Sequence, residues 1–223
     1  MDDAHGSAPT SLQLVEAAPF LSALEFEAVC DYLVEKYQDG GWADNSLALH
    51  IQRKTGYLAI TRSFSVGGAE PEQHVDILTE DMEDEDDDDA AIYHTSVTSP
   101  SPSVEYNILL SATYRVPVLY FFIRNLPANG LQCVEAVHEY LVPKQLKAGM
   151  RNVGVMGGIS MGNHPITDVP AFFVHPCNTA EAMQVIIGGR SVSVQAYLHI
   201  WFGLVAGCVG LSLPIDLALG LTL

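Results

Sequence analysis

Four cysteines, Cys30, Cys133, Cys177 and Cys208, are the natural nucleophile candidates in this 223-residue chain. Three of them lie in apolar helical stretches, where a small buried hydrophobe explains the residue. Cys177 differs, because it follows His175-Pro176 and precedes Asn178-Thr179-Ala180-Glu181. Those four residues read as a helix start, with Asn178 at the cap and Glu181 three positions on. The partial positive charge of a helix N-terminus favours a thiolate, and Pro176 stiffens the backbone that holds the sulfur. Covalent chemistry at sulfur is therefore the reaction type the chain is best equipped for. Metal chemistry has weaker support. His164, His175 and Cys177 are neighbours in sequence, but a fourth ligand at zinc-like spacing is missing, and His5, His50, His74, His94, His138 and His199 are scattered. No Cys-x-x-Cys pair occurs, which disfavours a zinc ribbon and a disulfide framework. The Gly154–Gly162 run lacks the Lys-Ser/Thr of a phosphate loop and reads as coil.

The elements that must position Cys177 follow from periodicity. Pro19–Tyr37 places Phe20, Leu21, Leu24, Val29, Leu33 and Tyr37 near a 3–4 spacing, so a helix is predicted there. Leu47–Ile51 and Gly56–Phe64 read as strands joined through Lys54-Thr55-Gly56. Val104, Tyr106, Ile108, Leu110, Ala112 and Tyr114 alternate with more polar residues, a strand signal that breaks at Arg115-Val116-Pro117. Val118–Arg124 is apolar on both faces and so central. Pro127–Val142 is read as a helix, the Gly- and Met-rich stretch beyond Pro143 as coil, and Pro170–His175 as a short apolar segment. Helices over Asn178 onward and about Ser193–Leu213 complete an α+β fold, an antiparallel four-stranded meander flanked by helices.

The net charge of −17 is not spread over the chain: residues 1–103 hold 21 acids and four bases, and residues 104–223 hold six of each. Nine of the acids fall in Glu80–Asp89, and such a run cannot bury enough apolar surface to offset its ordering entropy. Residues 67–103 are thus expected to be a disordered acidic insertion in a single domain spanning 1–223. A surplus of clustered Lys and Arg is lacking, which excludes a nucleic-acid-binding surface. Ser191–Ile215 has no charged residue over 25 positions, yet His199, Gln195, three glycines and Pro214 favour a buried helix over a membrane span. Met-Asp-Asp-Ala-His does not open a secretory signal, and a cytoplasmic location is expected.

His175-Pro176-Cys177-Asn178-Thr179 followed by Met183 resembles the signature of the autophagy ubiquitin-carrier-like enzymes, and more specifically that of the autophagy-related protein ten family. Val104–Phe122, Asn163–Cys177 and Tyr197–Pro214 are similar to that family's strand pair, its approach to the cysteine and its terminal helix, in the same order. The resemblance covers about residues 104–216. It implies a ubiquitin-conjugating-enzyme-like fold and a carrier without cofactor or metal. As partners it implies autophagy-related protein twelve as the modifier, autophagy-related protein seven as the activating enzyme and autophagy-related protein five as the target. Cys177 would then carry the modifier as a thioester and pass it to a lysine. Tyr114 and His175 are the candidate helpers, and Asn163 a candidate oxyanion donor. Asn178 stands where the family often has a lysine, and residues 67–103 are specific to this chain. The sister carrier that transfers a modifier to lipid stays open as an alternative; Trp201-Phe202-Gly203-Leu204 fits its Trp-x-x-Leu peptide but is better read as core. A cysteine hydrolase with a histidine base is a further alternative, and a binding module with an inert Cys177 another.

Overall fold

The computed structural model describes residues 13–39, 49–64, 101–126, 134–147 and 158–212. A two-residue strand β1 (Leu14–Val15) precedes helix α1 (Ala23–Asp39). Four strands follow, β2 (Leu49–Lys54), β3 (Tyr57–Ser63), β4 (Ser103–Leu110) and β5 (Pro117–Arg124). Helix α2 (Val134–Ala136) runs into a π turn (Val137–Leu141), after which come β6 (Ile159–Asn163) and β7 (Pro170–Val174). A 3-10 turn (Pro176–Asn178), α3 (Thr179–Ile187), β8 (Val192–Ser193), α4 (Val194–Leu204) and a second 3-10 turn (Ala206–Val209) end the described chain.

The fold is α+β and ubiquitin-conjugating-enzyme-like, built on one antiparallel sheet in the order β2-β3-β4-β5-β7-β6, with β1 and β8 paired separately. The expected four-stranded meander is its first part. Two strands beyond the expectation extend it, since the Gly-rich coil contains β6 and the apolar segment is β7. Gly162 is in β6 for room: a Cβ there would lie 3.2 Å from the Phe173 ring on the paired strand. Residues 65–100, most of the acidic insertion, lie outside the described residues. Its last residues do not behave as expected, because Pro102 accepts the Phe64 N–H at 3.0 Å and Ser103 opens β4. Residues 127–133 of the helix expected at Pro127–Val142 also lie outside the described residues.

Helix α1 starts at a reciprocal cap. Ser22 Oγ accepts the Glu25 N–H at 3.3 Å, while the Glu25 carboxylate accepts the Ser22 N–H at 2.7 Å, the Ser22 hydroxyl at 2.6 Å and the Glu16 N–H at 2.7 Å. Burial alone would raise the Glu25 carboxyl, but these bonds and the Arg115 charge outweigh it and hold it below its ordinary value.

The core lies between one face of the sheet and the pair α1 and α4. Phe26, Val29, Cys30 and Leu33 from α1 and Tyr197, Leu198, Trp201 and Phe202 from α4 pack on Leu58, Ile60, Tyr106, Ile108, Leu119 and Phe121. Each large side chain taken out of water contributes about 1.5–3 kcal/mol. Three buried donors fix the layers: Tyr106 OH to Val209 O (2.7 Å), Tyr197 OH to Pro19 O (2.8 Å) and Trp201 Nε1 to Pro117 O (2.9 Å). Helix α4 has 11 residues and stops well short of Leu213. The chain then tightens into the second 3-10 turn, and Gly210 closes it at φ 70°, where a Cβ would lie 2.6 Å from Leu141 O. Among the described residues, no helix is long and apolar enough to cross a membrane.

Candidate active site

Strand β7 is held between β5 and β6, and its end delivers the chain into His175-Pro176-Cys177. Beyond the cysteine, α3 is pinned to the core by Thr179, Met183 and Ile187, all buried. Cys177 is thereby displayed on the surface between two anchored elements, as a free, exposed thiol. Cys30 and Cys208 are buried. Burial, helped by the Asp31 charge, pushes the Cys30 thiol up to about 12, and burial likewise raises Cys208. Both are thus held as inert thiols at neutral pH. Cys133 lies outside the described residues.

His175 Nδ1 accepts the Cys177 N–H at 3.2 Å. That bond puts the ring's lone pair on Nδ1 and leaves Nε2 as the N–H donor. The Tyr114 ring meets His175 edge-on at 5.9 Å, and the Phe173 ring lies 6.0 Å from it. Tyr114 comes from the turn after β4, which stops at Leu110 rather than running on to Tyr114. Ser111 makes that turn, its N–H going to Val116 O, its carbonyl accepting the Arg115 N–H and its Oγ accepting the Tyr114 N–H. Tyr114, His175 and Cys177 are therefore brought together, from a β-turn and the end of a strand far apart in sequence.

Asn163 is not brought to them. It pairs with Pro170 at the opposite end of the β6–β7 ladder from Val174 and donates through Nδ2 to Asp168 Oδ1 at 2.9 Å. Four residue steps along the strand are about 13 Å, so it has no oxyanion role at the sulfur. Asn178 departs from expectation too. It occupies the N-cap position with φ −105° and ψ −1° but makes no side-chain cap bond. Its backbone is already helical, and the 3-10 turn delivers the Thr179 N–H to Pro176 O.

His164 lies away from the cysteine, in the β6–β7 turn. Fully buried, its Nδ1 accepts the N–H groups of Ile166 (3.3 Å) and Thr167 (3.2 Å). The rings of Tyr57 and Tyr120 flank it, each at 5.3 Å. It does not join His175 and Cys177 in a ligand set, and no group of three or more His, Cys, Asp or Glu among the described residues is arranged to hold a metal. Trp201 is 1% exposed, so Trp201-x-x-Leu204 is packing rather than a displayed peptide. The frame behind Tyr114, formed by Ser22, Glu25 and Arg115, was not anticipated, although Ser22-Ala23-Leu24-Glu25 carries the Ser-x-x-Glu pattern of a helix start.

An antiparallel sheet that ends at an exposed cysteine in a His-Pro-Cys turn, backed by a helix, has the architecture of a ubiquitin-carrier-type domain. The family model of the autophagocytosis associated protein, active-site domain, matches residues 25–216, and the chain belongs to this family. The ubiquitin-like-conjugating enzyme ATG10 of Gibberella zeae is 46% identical over 149 residues, 66% of this chain and 62% of that protein. The enzyme of the same name from Homo sapiens is 32% identical over 136 residues, 59% of each chain. That from Arabidopsis thaliana is 26% identical over 182 residues, 78% of this chain and 80% of that protein. The chain thus matches about three fifths of the length of the first two.

Proposed function

We propose that this protein is a cytoplasmic ubiquitin-like-modifier carrier, a single domain with residues 67–103 as an insertion. It accepts autophagy-related protein twelve from the activating enzyme, autophagy-related protein seven, and transfers it to a lysine of autophagy-related protein five. The observation that carries the proposal is the surface thiol of Cys177, fixed by the bond from its own N–H to His175 Nδ1. The shared family and the conjugating-enzyme names of the relatives support the same reaction class.

In charging, the Cys177 thiolate attacks the carbonyl carbon of the modifier's thioester on the activating enzyme. A new S–C bond forms, the old one breaks, and the activating enzyme's thiolate leaves, an exchange nearly balanced in free energy. In discharge a neutral lysine amine attacks the same carbon, the bond to Cys177 breaks, and the amine proton passes to an acceptor. A free lysine with pKa of about 10.4 is neutral in fewer than roughly one molecule in 10³ at pH 7. The site must therefore favour the neutral amine. The Tyr114 and Phe173 rings beside His175 offer the incoming amine an apolar surface, the Tyr114 hydroxyl oxygen can accept a hydrogen bond from it, and the released proton passes to water. His175 orients the cysteine loop. With Nδ1 engaged by the Cys177 N–H it offers no lone pair there for a hydrolase base, which weighs against that alternative.

The experiment is reconstituted charging with modifier, activating enzyme and ATP. Wild type gives a reductant-labile adduct, Cys177→Ala gives none and Cys177→Ser gives an adduct that survives reductant. A labile adduct on Cys177→Ala would end the proposal.

A further inference from the structure

The residue after Tyr114 is an arginine in the left-handed backbone region, φ 54°, where a side chain is disfavoured and glycine is at ease. An arginine kept in that conformation is held by its surroundings. Two attachments hold it. Its carbonyl accepts the Leu21 N–H at 2.8 Å, and Leu21 itself is buried. Its guanidinium lies 5.8 Å over the Phe20 ring, within the field of the Glu25 carboxylate. Glu25 is in turn immobilised by the N–H groups of Glu16 and Ser22 and by the Ser22 hydroxyl. The segment before α1 thus clamps the far side of the turn, while Ser111 holds the near side through the Tyr114 and Arg115 N–H groups. Between these two holds, Tyr114 has its edge-on approach to His175, and through it to the Cys177 loop.

We propose that Arg115 is a positioning residue for the transfer of the modifier to lysine: its clamped left-handed backbone and its contact with Phe20 aim the Tyr114 ring at His175 and the thioester. This rests on the role given to Tyr114 above. Glycine would satisfy the backbone without strain and keep its bonds to Leu21 and Ser111, but would remove the guanidinium hold on Phe20 and Glu25, so strain relief and loss of function should come apart at this one position.

The test is single-turnover discharge, with autophagy-related protein twelve preloaded on the full chain by autophagy-related protein seven and free L-lysine as the acceptor at increasing concentration. Arg115→Gly should slow discharge at saturating lysine by about tenfold or more, the scale of cost that misplacement in an active site carries. Its melting temperature should stay close to that of the wild type, because the relieved backbone offsets the lost ring contact. Arg115→Lys, which keeps the cation, should retain most of the rate. In a Tyr114→Ala background, Arg115→Gly should add no further loss, since both changes act through one ring. Wild-type discharge by Arg115→Gly, a fall in rate only in proportion to a fall in melting temperature, or losses that multiply in the double variant would each overturn the inference. Normal discharge by Tyr114→Ala would instead refute the site reading itself and remove this inference with it.

Discussion

Replacing His164 by asparagine should abolish a pH-dependent part of the protein's stability. His164 has no exposed surface, and burial lowers its pKa from the ordinary 6.5, with the Glu105 carboxylate partly opposing. Its surroundings give an imidazolium little help. Tyr57 from β3 and Tyr120 and Phe122 from β5 face it with rings, and Glu105 from β4 is paired with Arg124 at 3.0 Å. Protonation at Nδ1 would also cost the two bonds from Ile166 and Thr167. The sign follows from the lowered pKa: below about pH 6.5 the unfolded chain takes up a proton that the folded site refuses. This contribution is therefore fully present above pH 6.5 and is lost as pH falls toward the folded pKa. The ceiling is set by a site that stays neutral throughout, for which going from pH 7.5 to 5.5 removes about 1.4 kcal/mol. Asparagine keeps an acceptor near the Nδ1 position and does not titrate. Urea unfolding at the two pH values, followed by circular dichroism, should show the wild type losing more than His164→Asn, by up to that ceiling, whatever the offset between them at pH 7.5. Parallel losses in the two proteins would refute the reasoning.

Trp201→Phe removes the donor to Pro117 O inside the core and should cost about 1–3 kcal/mol in urea unfolding with the m-value unchanged; a neutral change would mean that carbonyl finds another partner. Gly210→Ala puts a methyl 2.6 Å from Leu141 O on a backbone at φ 70° and should lower stability by about 1–3 kcal/mol, read as a drop in melting temperature. An unshifted melting temperature would show that the π turn yields to it. Excising residues 67–100 should leave charging of Cys177 intact, because Ser63 and Ser103 already pair across the β3–β4 hairpin. A shorter closure also costs less, by about 0.6 kcal/mol for each halving of length. Loss of charging would make the acidic segment part of the machinery.

The meander was legible because β4 and β5 carry their own alternation and apolar runs, a local property of the chain. The last two strands were hidden by composition. Glycine in β6 reports the closeness of Phe173 on the next strand, which is a long-range fact that a local pattern presents as coil. Cys177 could be found from its neighbours in sequence, since a proline and a helix start are local signals. Its relation to Tyr114 could not be derived that way, because it depends on where the β4–β5 turn falls beside the end of β7. The error over Asn163 has the same origin: nearness in sequence to His164-Pro165 says nothing about the length of the hairpin that carries it away from the sulfur. Asn178 failed as a cap because a 3-10 turn feeds directly into α3, a backbone detail that its side chain does not announce.

The central claim is that Cys177 alone among the cysteines forms the covalent link to a ubiquitin-like modifier. Mass spectrometry of the reductant-labile adduct from a reconstituted charging reaction tests it most directly. The modifier's C-terminal residue should be found joined to the peptide containing His175-Pro176-Cys177, with Cys30, Cys133 and Cys208 unmodified. A thioester mapped to any of those three, or a labile adduct that persists in Cys177→Ala, would contradict it.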